Sequence, residues 1–169
     1  MKIDEIAELP IIQAWRRNDE YRELPNLADD LKFGLLNSRE ELDDNMQAAV
    51  SELDSLFQFN TLEQGATLYR GTSRYELAEH FFENKFWECP AFMSTTPNIS
   101  VAQRFYENKK LDEPIMLHIV LEQKLNVINA NSSKFGGVEE EEFILPRNII
   151  LRIKEELSEN VYKVGVSKK

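Results

Sequence analysis

Cysteine is nearly missing from this sequence: Cys89 is the single one in 169 residues, so no intramolecular disulfide can form and stability rests on packing. Its expected place is a small buried apolar position. Long apolar runs are also missing. No stretch approaches the roughly 20 residues that a helix needs to cross a bilayer, which excludes a helical membrane span. Residues 1–10 carry Asp4, Glu5 and Glu8 among isolated apolar residues and lack the basic start and apolar core of a secretory signal peptide. The expectation is a soluble protein that, if it leaves its cell, uses another route. Positive charge is scarce too: 20 Lys and Arg face 30 Asp and Glu, a net charge of −10. Phosphate backbones and anionic lipid surfaces repel such a chain, so neither nucleic acid nor membrane is an expected partner. His80 and His118 stand far apart and no Cys or His lies at metal-ligand spacing, so no metal site is expected. Gly136-Gly137 lacks the Lys and Ser/Thr that a phosphate loop requires.

What is there fits a globular domain. Hydrophobic residues make up 42% and charged residues 30%, and this length buries a sizeable core, so residues 1–169 are expected to form one domain. Its character changes near residue 66. In residues 1–65 the pattern is helical. Ser38 and Glu41 have capping-box spacing, and Leu42, Met46, Ala49, Val50, Leu53 and Phe57 then recur at helical intervals. Ile11, Ile12, Trp15, Leu24, Leu27, Leu31, Phe33 and Leu35 are candidate core contacts, while Pro10, Pro25 and Gly34 interrupt any single helix. From 66 to 169 short runs rich in β-branched and aromatic residues take over, at 67–70, 91–96, 115–122, 126–130, 141–146, 149–157 and 161–167. Two short helices interrupt them: Ser73 with Glu76 repeats the capping-box spacing ahead of Leu77, Phe81 and Phe82, and Asn98 can cap a helix bearing Val101, Ala102 and Phe105. The fold class is therefore α+β, with N-terminal helices packed on a mainly antiparallel β-sandwich.

Three motifs carry the chemistry. The first is Leu68-Tyr69-Arg70-Gly71, an arginine at a strand end followed by glycine; alone, it is what a solvated surface strand would show. The second is Ser94-Thr95-Thr96, three hydroxyls after an apolar run, also common at ordinary strand-to-helix turns. The third is the run of four glutamates at 139–142, leading directly into Phe143-Ile144-Leu145-Pro146. Side chains alternate along a strand, so Glu140 and Glu142 share one face, roughly 7 Å apart, while Glu141, Phe143 and Leu145 take the other. Like charges side by side cost free energy, which a purely structural strand could avoid. Glu139 with Glu141, or Glu140 with Glu142, could be the functional pair.

Arginine, then a hydroxyl triplet, then Glu-x-Glu before an apolar strand ending in proline resembles the Arg–Ser–Glu class of mono-ADP-ribosyltransferases, over about residues 40–167. Thr96 stands where that class often has a second serine, and it keeps the hydroxyl. In the class the catalytic glutamate precedes three apolar residues and often a proline, which selects Glu142 as catalytic and Glu140 as its partner. The resemblance implies NAD⁺ as substrate, with no metal, and a target protein of a host or competitor cell as acceptor. It implies that Arg70, Gly71, Ser94, Thr95, Thr96 and Glu142 bind the dinucleotide and that Arg70, Ser94, Glu140 and Glu142 form the catalytic set. The Gly71 backbone would hold the nicotinamide amide. A glutamate at position 140 goes with arginine as acceptor. Residues 131–138 would form the loop that recognises the target, with Phe135 as a contact and Glu140 beside it. Two other readings are an NAD⁺ glycohydrolase and a non-catalytic acidic binding module of the same fold.

Overall fold

The computed structural model describes residues 1–17, 19–32, 43–107, 112–131 and 141–169. Three short helices come first: α1 (Ile3–Ala7), α2 (Pro10–Arg17) and α3 (Leu27–Lys32). Proline opens α2 because its missing N–H is needless at a first helical turn. Then comes α4 (Asp44–Ser55), whose cap is Asp43: its carboxylate accepts from the Met46 backbone N–H at 2.7 Å. The expected cap, Ser38 with Glu41, lies outside the described residues, as do Phe33, Gly34, Leu35 and Leu42. The periodic residues Met46, Ala49, Val50 and Leu53 all turn inward.

The remaining elements are β1 (Asn60–Leu62), β2 (Thr67–Ser73), α5 (Glu79–Asn84), β3 (Phe86–Cys89), β4 (Met93–Thr95), α6 (Ile99–Tyr106), β5 (Pro114–Leu121), β6 (Leu125–Asn129), β7 (Phe143–Leu145), β8 (Ile149–Ser158) and β9 (Val161–Lys168). Two of these strands, β1 and β3, were not expected, and β1 falls in the part read as helical. Three residues of β1 are too few to show a period of two, and β3 is a four-residue edge strand. The runs expected at 91–96 and 141–146 shorten to β4 and β7. Asn98 caps α6 as expected, accepting from Ser100 N–H at 3.0 Å. The expected second capping box does not form: Ser73 makes no side-chain cap, and Glu76 turns to other partners.

The strands form two sheets, ordered β1-β6-β7-β4 and β2-β5-β9-β8-β3. Every pair is antiparallel except β5 with β9. The α+β class and the mainly antiparallel sandwich thus hold. Side-chain alternation divides the four-stranded sheet between two cores. Leu125, Val127, Met93 and Leu145 face the larger sheet and join Leu68, Leu117, Ile119, Leu151, Val164 and Val166. Phe92, Ile128, Ala130 and Ile144 face the helices and pack with Trp15, Leu27, Leu31 and Leu53. Each fully buried aliphatic or aromatic side chain here stabilises by about 1.5–3 kcal/mol relative to exposure. The layering also sets the site, because a residue two positions from Ile144 shares its face and meets the helices.

Candidate active site

Glu142 is that residue. It precedes β7, and its carbonyl accepts from Ala130 N–H at 3.0 Å, continuing the pairing of β6 with β7. The residue is buried (8% exposed), and its side chain enters the helical layer. There the indole Nε1–H of Trp15 donates to Oε2 at 2.9 Å. Ser94 Oγ donates a short hydrogen bond to the same oxygen. Ser94 pairs with Ile144 across β4 and β7, so the diagonal step to Glu142 brings the two side chains together. The other oxygen, Oε1, has Arg16 Nε 4.0 Å away.

The backbone of Glu142 is fixed separately. Asn131 Oδ1 accepts from Glu142 N–H at 2.7 Å, and Asn131 Nδ2 donates to Glu142 O at 3.3 Å. The amide side chain therefore substitutes for a strand partner, and Asn129 Oδ1 orients it by accepting from Asn131 Nδ2 at 2.7 Å.

Arg70 reaches the same place from the other sheet. An isolated antiparallel bridge joins Tyr69 to Thr96, with N–H···O bonds of 2.7 and 3.0 Å, and this stitches β2 to the end of β4. From there Arg70 Nη1 donates to Ser94 O and Nη2 to Glu76 Oε2, both at 2.9 Å. Glu76 also accepts from the Thr72 hydroxyl. Arg70 is thus no free surface charge; its side chain is only 13% exposed.

Between these groups lies a cavity of about 370 Å³ that the Arg70, Gly71, Ser94, Thr95, Thr96 and Glu142 side chains or backbone line. The six residues expected to bind a dinucleotide therefore share one cleft. Their side chains differ in what they offer it. Thr95 Oγ1 donates to Phe143 O at 2.7 Å, and Thr96 Oγ1 accepts from Asn98 N–H at 3.1 Å, so both hydroxyls already serve the local backbone. At Gly71 an added Cβ would lie 2.4 Å from Ala102 O and 2.7 Å from Tyr106 N, so glycine here lets α6 lie against β2. Glu140 and Phe135 lie outside the described residues. Among the described residues no group of three or more His, Cys, Asp or Glu side chains is placed to hold a metal ion, and no helix is long and apolar enough to cross a membrane.

Sequence reading missed four contributors. Trp15 is a core residue as expected, fully buried, yet its one polar atom serves the site. Arg16 and Glu76 line the cleft, and Asn131 holds the Glu142 backbone. Only Glu76 left a usable local signal, since Arg70 and Thr72 share a strand face and a carboxylate four residues further on can return to both.

No family model and no curated protein matches this sequence. Its structure does match solved ones. It aligns with an ADP-ribosyltransferase from Clostridium botulinum over 98% of this chain and 87% of that one, at 15% identity and a TM-score of 0.64. A protein from S. aureus, solved with NAD, aligns over 98% and 91% at 15% identity and a TM-score of 0.60. The ADP-ribosyltransferase Vis, solved with agmatine, aligns over 97% and 72% at 21% identity and a TM-score of 0.52. The chain has the ADP-ribosyltransferase fold.

Proposed function

We propose that this protein is a mono-ADP-ribosyltransferase that cleaves NAD⁺ and transfers ADP-ribose to a protein acceptor, most fittingly an arginine side chain. The observation that carries this reading is Glu142: a buried carboxylate at the cleft wall, with one oxygen held by Ser94 and Trp15 and the other 4.0 Å from Arg16 Nε. As the bond between nicotinamide and the ribose carbon breaks, its electron pair leaves with neutral nicotinamide and positive charge develops on the ribose. A fixed carboxylate stabilises that charge without having to reorganise. Oε1 would accept a ribose hydroxyl while Ser94 and Trp15 keep the carboxylate from rotating. The acceptor nitrogen then bonds to the same carbon and loses a proton. Arg70 lines the cleft and ties the two sheets through Ser94 O, so nucleotide placement and Glu142 placement are coupled through Ser94.

The fold it shares with ADP-ribosyltransferases, and with a protein solved with NAD, supports the substrate. Agmatine carries a guanidino group like that of arginine, and its complex with Vis supports the acceptor class. Glu140 is assigned the orientation and deprotonation of the acceptor.

The test is release of nicotinamide and transfer of label from NAD⁺ to protein, measured together. Glu142→Gln keeps the shape but loses the charge, and both activities should fall about 10²–10³-fold. Glu140→Gln should lose transfer far more than hydrolysis. A silent Glu142→Gln beside a crippled Glu141→Gln would shift the assigned register by one residue.

A further inference from the structure

The charges in the cleft do not suit an anionic ligand as they stand. Among the described residues four carboxylates line it, on Asp29, Glu76, Glu141 and Glu142, against two guanidinium groups, on Arg16 and Arg70. The whole chain carries a net charge of −10. A dinucleotide brings two further negative charges in its diphosphate, so local cations must receive it.

Arg70 is poorly placed to do so alone. Each of its terminal nitrogens already donates once, to Ser94 O and Glu76 Oε2, which fixes the guanidinium and leaves only its remaining N–H groups for a ligand. Turning it toward a phosphate would strand the carboxylate of Glu76, whose side chain is 15% exposed, and an uncompensated part-buried charge is costly. Arg16 is held differently. Among the described residues its ion-pair partner is Glu142, and the 4.0 Å from Nε to Oε1 is too long for a hydrogen bond. Its neighbour Trp15 is fully buried and anchors the last turn of α2, so a change of Arg16 rotamer does not require the helix to move.

We propose that Arg16 helps to receive the diphosphate, moving from Glu142 to the phosphates as the ribose takes Oε1. This inference rests on reading the cleft as a site for NAD⁺. The exchange leaves no charge bare: the carboxylate gains a ribose hydroxyl, and the guanidinium trades a loose carboxylate contact for charge-assisted bonds to phosphate. The diphosphate is one sugar away from the hydroxyl that docks on Glu142, within the swing of a long arginine side chain. It also removes a positive charge from Glu142 just as positive charge develops on the ribose, where an arginine left in place would offset the stabilisation.

The experiment measures calorimetric binding of ADP-ribose, which has the diphosphate and lacks nicotinamide, to wild type, Arg16→Gln and Arg16→Lys. NAD⁺ turnover of each is followed in parallel. Arg16→Gln should weaken ADP-ribose by about tenfold or more, the loss of a hydrogen-bonded charge. The deficit should shrink as salt screens the phosphates, and Arg16→Lys should recover part of it. Thermal unfolding of the variants should stay cooperative, which shows that the helical layer remains seated. Binding by Arg16→Gln as tight as wild type, or tighter, would overturn the proposal and leave Arg16 as a counter-ion of Glu142. So would a deficit independent of salt, or one that lysine does not relieve. Wild type that binds ADP-ribose but releases no nicotinamide would defeat the assigned reaction and leave the role of Arg16 to be judged by the variant ratio. Wild type that binds neither ADP-ribose nor NAD⁺ would defeat both.

Discussion

At the scale of single residues, Glu142 Oε2 takes its hydrogen bonds from two donors whose replacement should be felt unequally. Trp15 both fills the helical core, edge-on to Phe92 with ring centroids 6.2 Å apart, and donates to that oxygen. Trp15→Phe keeps an aromatic ring there and deletes the donor. A hydrogen bond to a charged group contributes about 1.5–3 kcal/mol, so nicotinamide release should drop about 10- to 100-fold, in kcat more than in KM. Unchanged kcat would show that Ser94 alone positions the carboxylate. His118, opposite Tyr69 and edge-on to its ring at 5.1 Å, responds to pH instead. Burial lowers its pKa below the usual 6.5. The unfolded chain therefore takes up this proton more readily, and the stability contribution present above pH 6.5 is lost as pH falls through the folded pKa. Between pH 7 and 5 the melting temperature of wild type should fall more than that of His118→Asn; parallel curves would contradict the assignment. The Cys89 thiol, pushed up to about 11 by burial, has no comparable part near neutral pH.

Among the secondary elements, the contact of β2 with α6 is the one that shapes the cleft. It depends on Gly71, where Ala102 O and Tyr106 N would stand 2.4 and 2.7 Å from any Cβ. Both are backbone atoms of α6 and cannot yield as a flexible side chain would. Gly71→Ala should therefore push α6 away, destabilise by about 1–3 kcal/mol and raise KM for NAD⁺, since Val101, Ala102 and Phe105 of α6 line the cavity. Denaturant melts with wild-type midpoints would show that α6 adapts. Asn131 works on the same scale. It extends the β6–β7 pairing by one side chain, so Glu142 is pinned just ahead of β7.

Across the whole molecule, the helical layer must stay seated on the sandwich because Trp15 comes from one and Ser94 from the other. A bidentate pair helps to hold it. Arg147, just after β7, donates from Nε to Asp54 Oδ1 at 3.0 Å and from Nη2 to Asp54 Oδ2 at 2.8 Å, joining the end of α4 to the sheet. Its side chains are 19% and 33% exposed, so solvent screening keeps its worth well under that of a buried pair. Asp54→Ala and Arg147→Ala should each cost about 1 kcal/mol, and the double variant should cost less than the sum. Strict additivity in denaturant unfolding would show that the pair does not couple the layers.

Sequence alone determined what local spacing can encode. The periodic run of Met46, Ala49, Val50 and Leu53 settled α4, Asn98 settled the start of α6, and strand alternation put Glu142 on the face opposite Phe143 and Leu145. The ordered arginine, hydroxyl and glutamate motifs supplied Arg70, Gly71, Ser94, Thr95, Thr96 and Glu142 of the cleft lining. Tertiary structure decided the partners. Trp15 meets Glu142 across 127 positions of sequence, Tyr69 bridges to Thr96 between sheets, and Glu76 leaves its expected cap for Arg70. The physical reason is range: propensity and capping act within a few residues, whereas a donor for a buried carboxylate is chosen by which layers close over it.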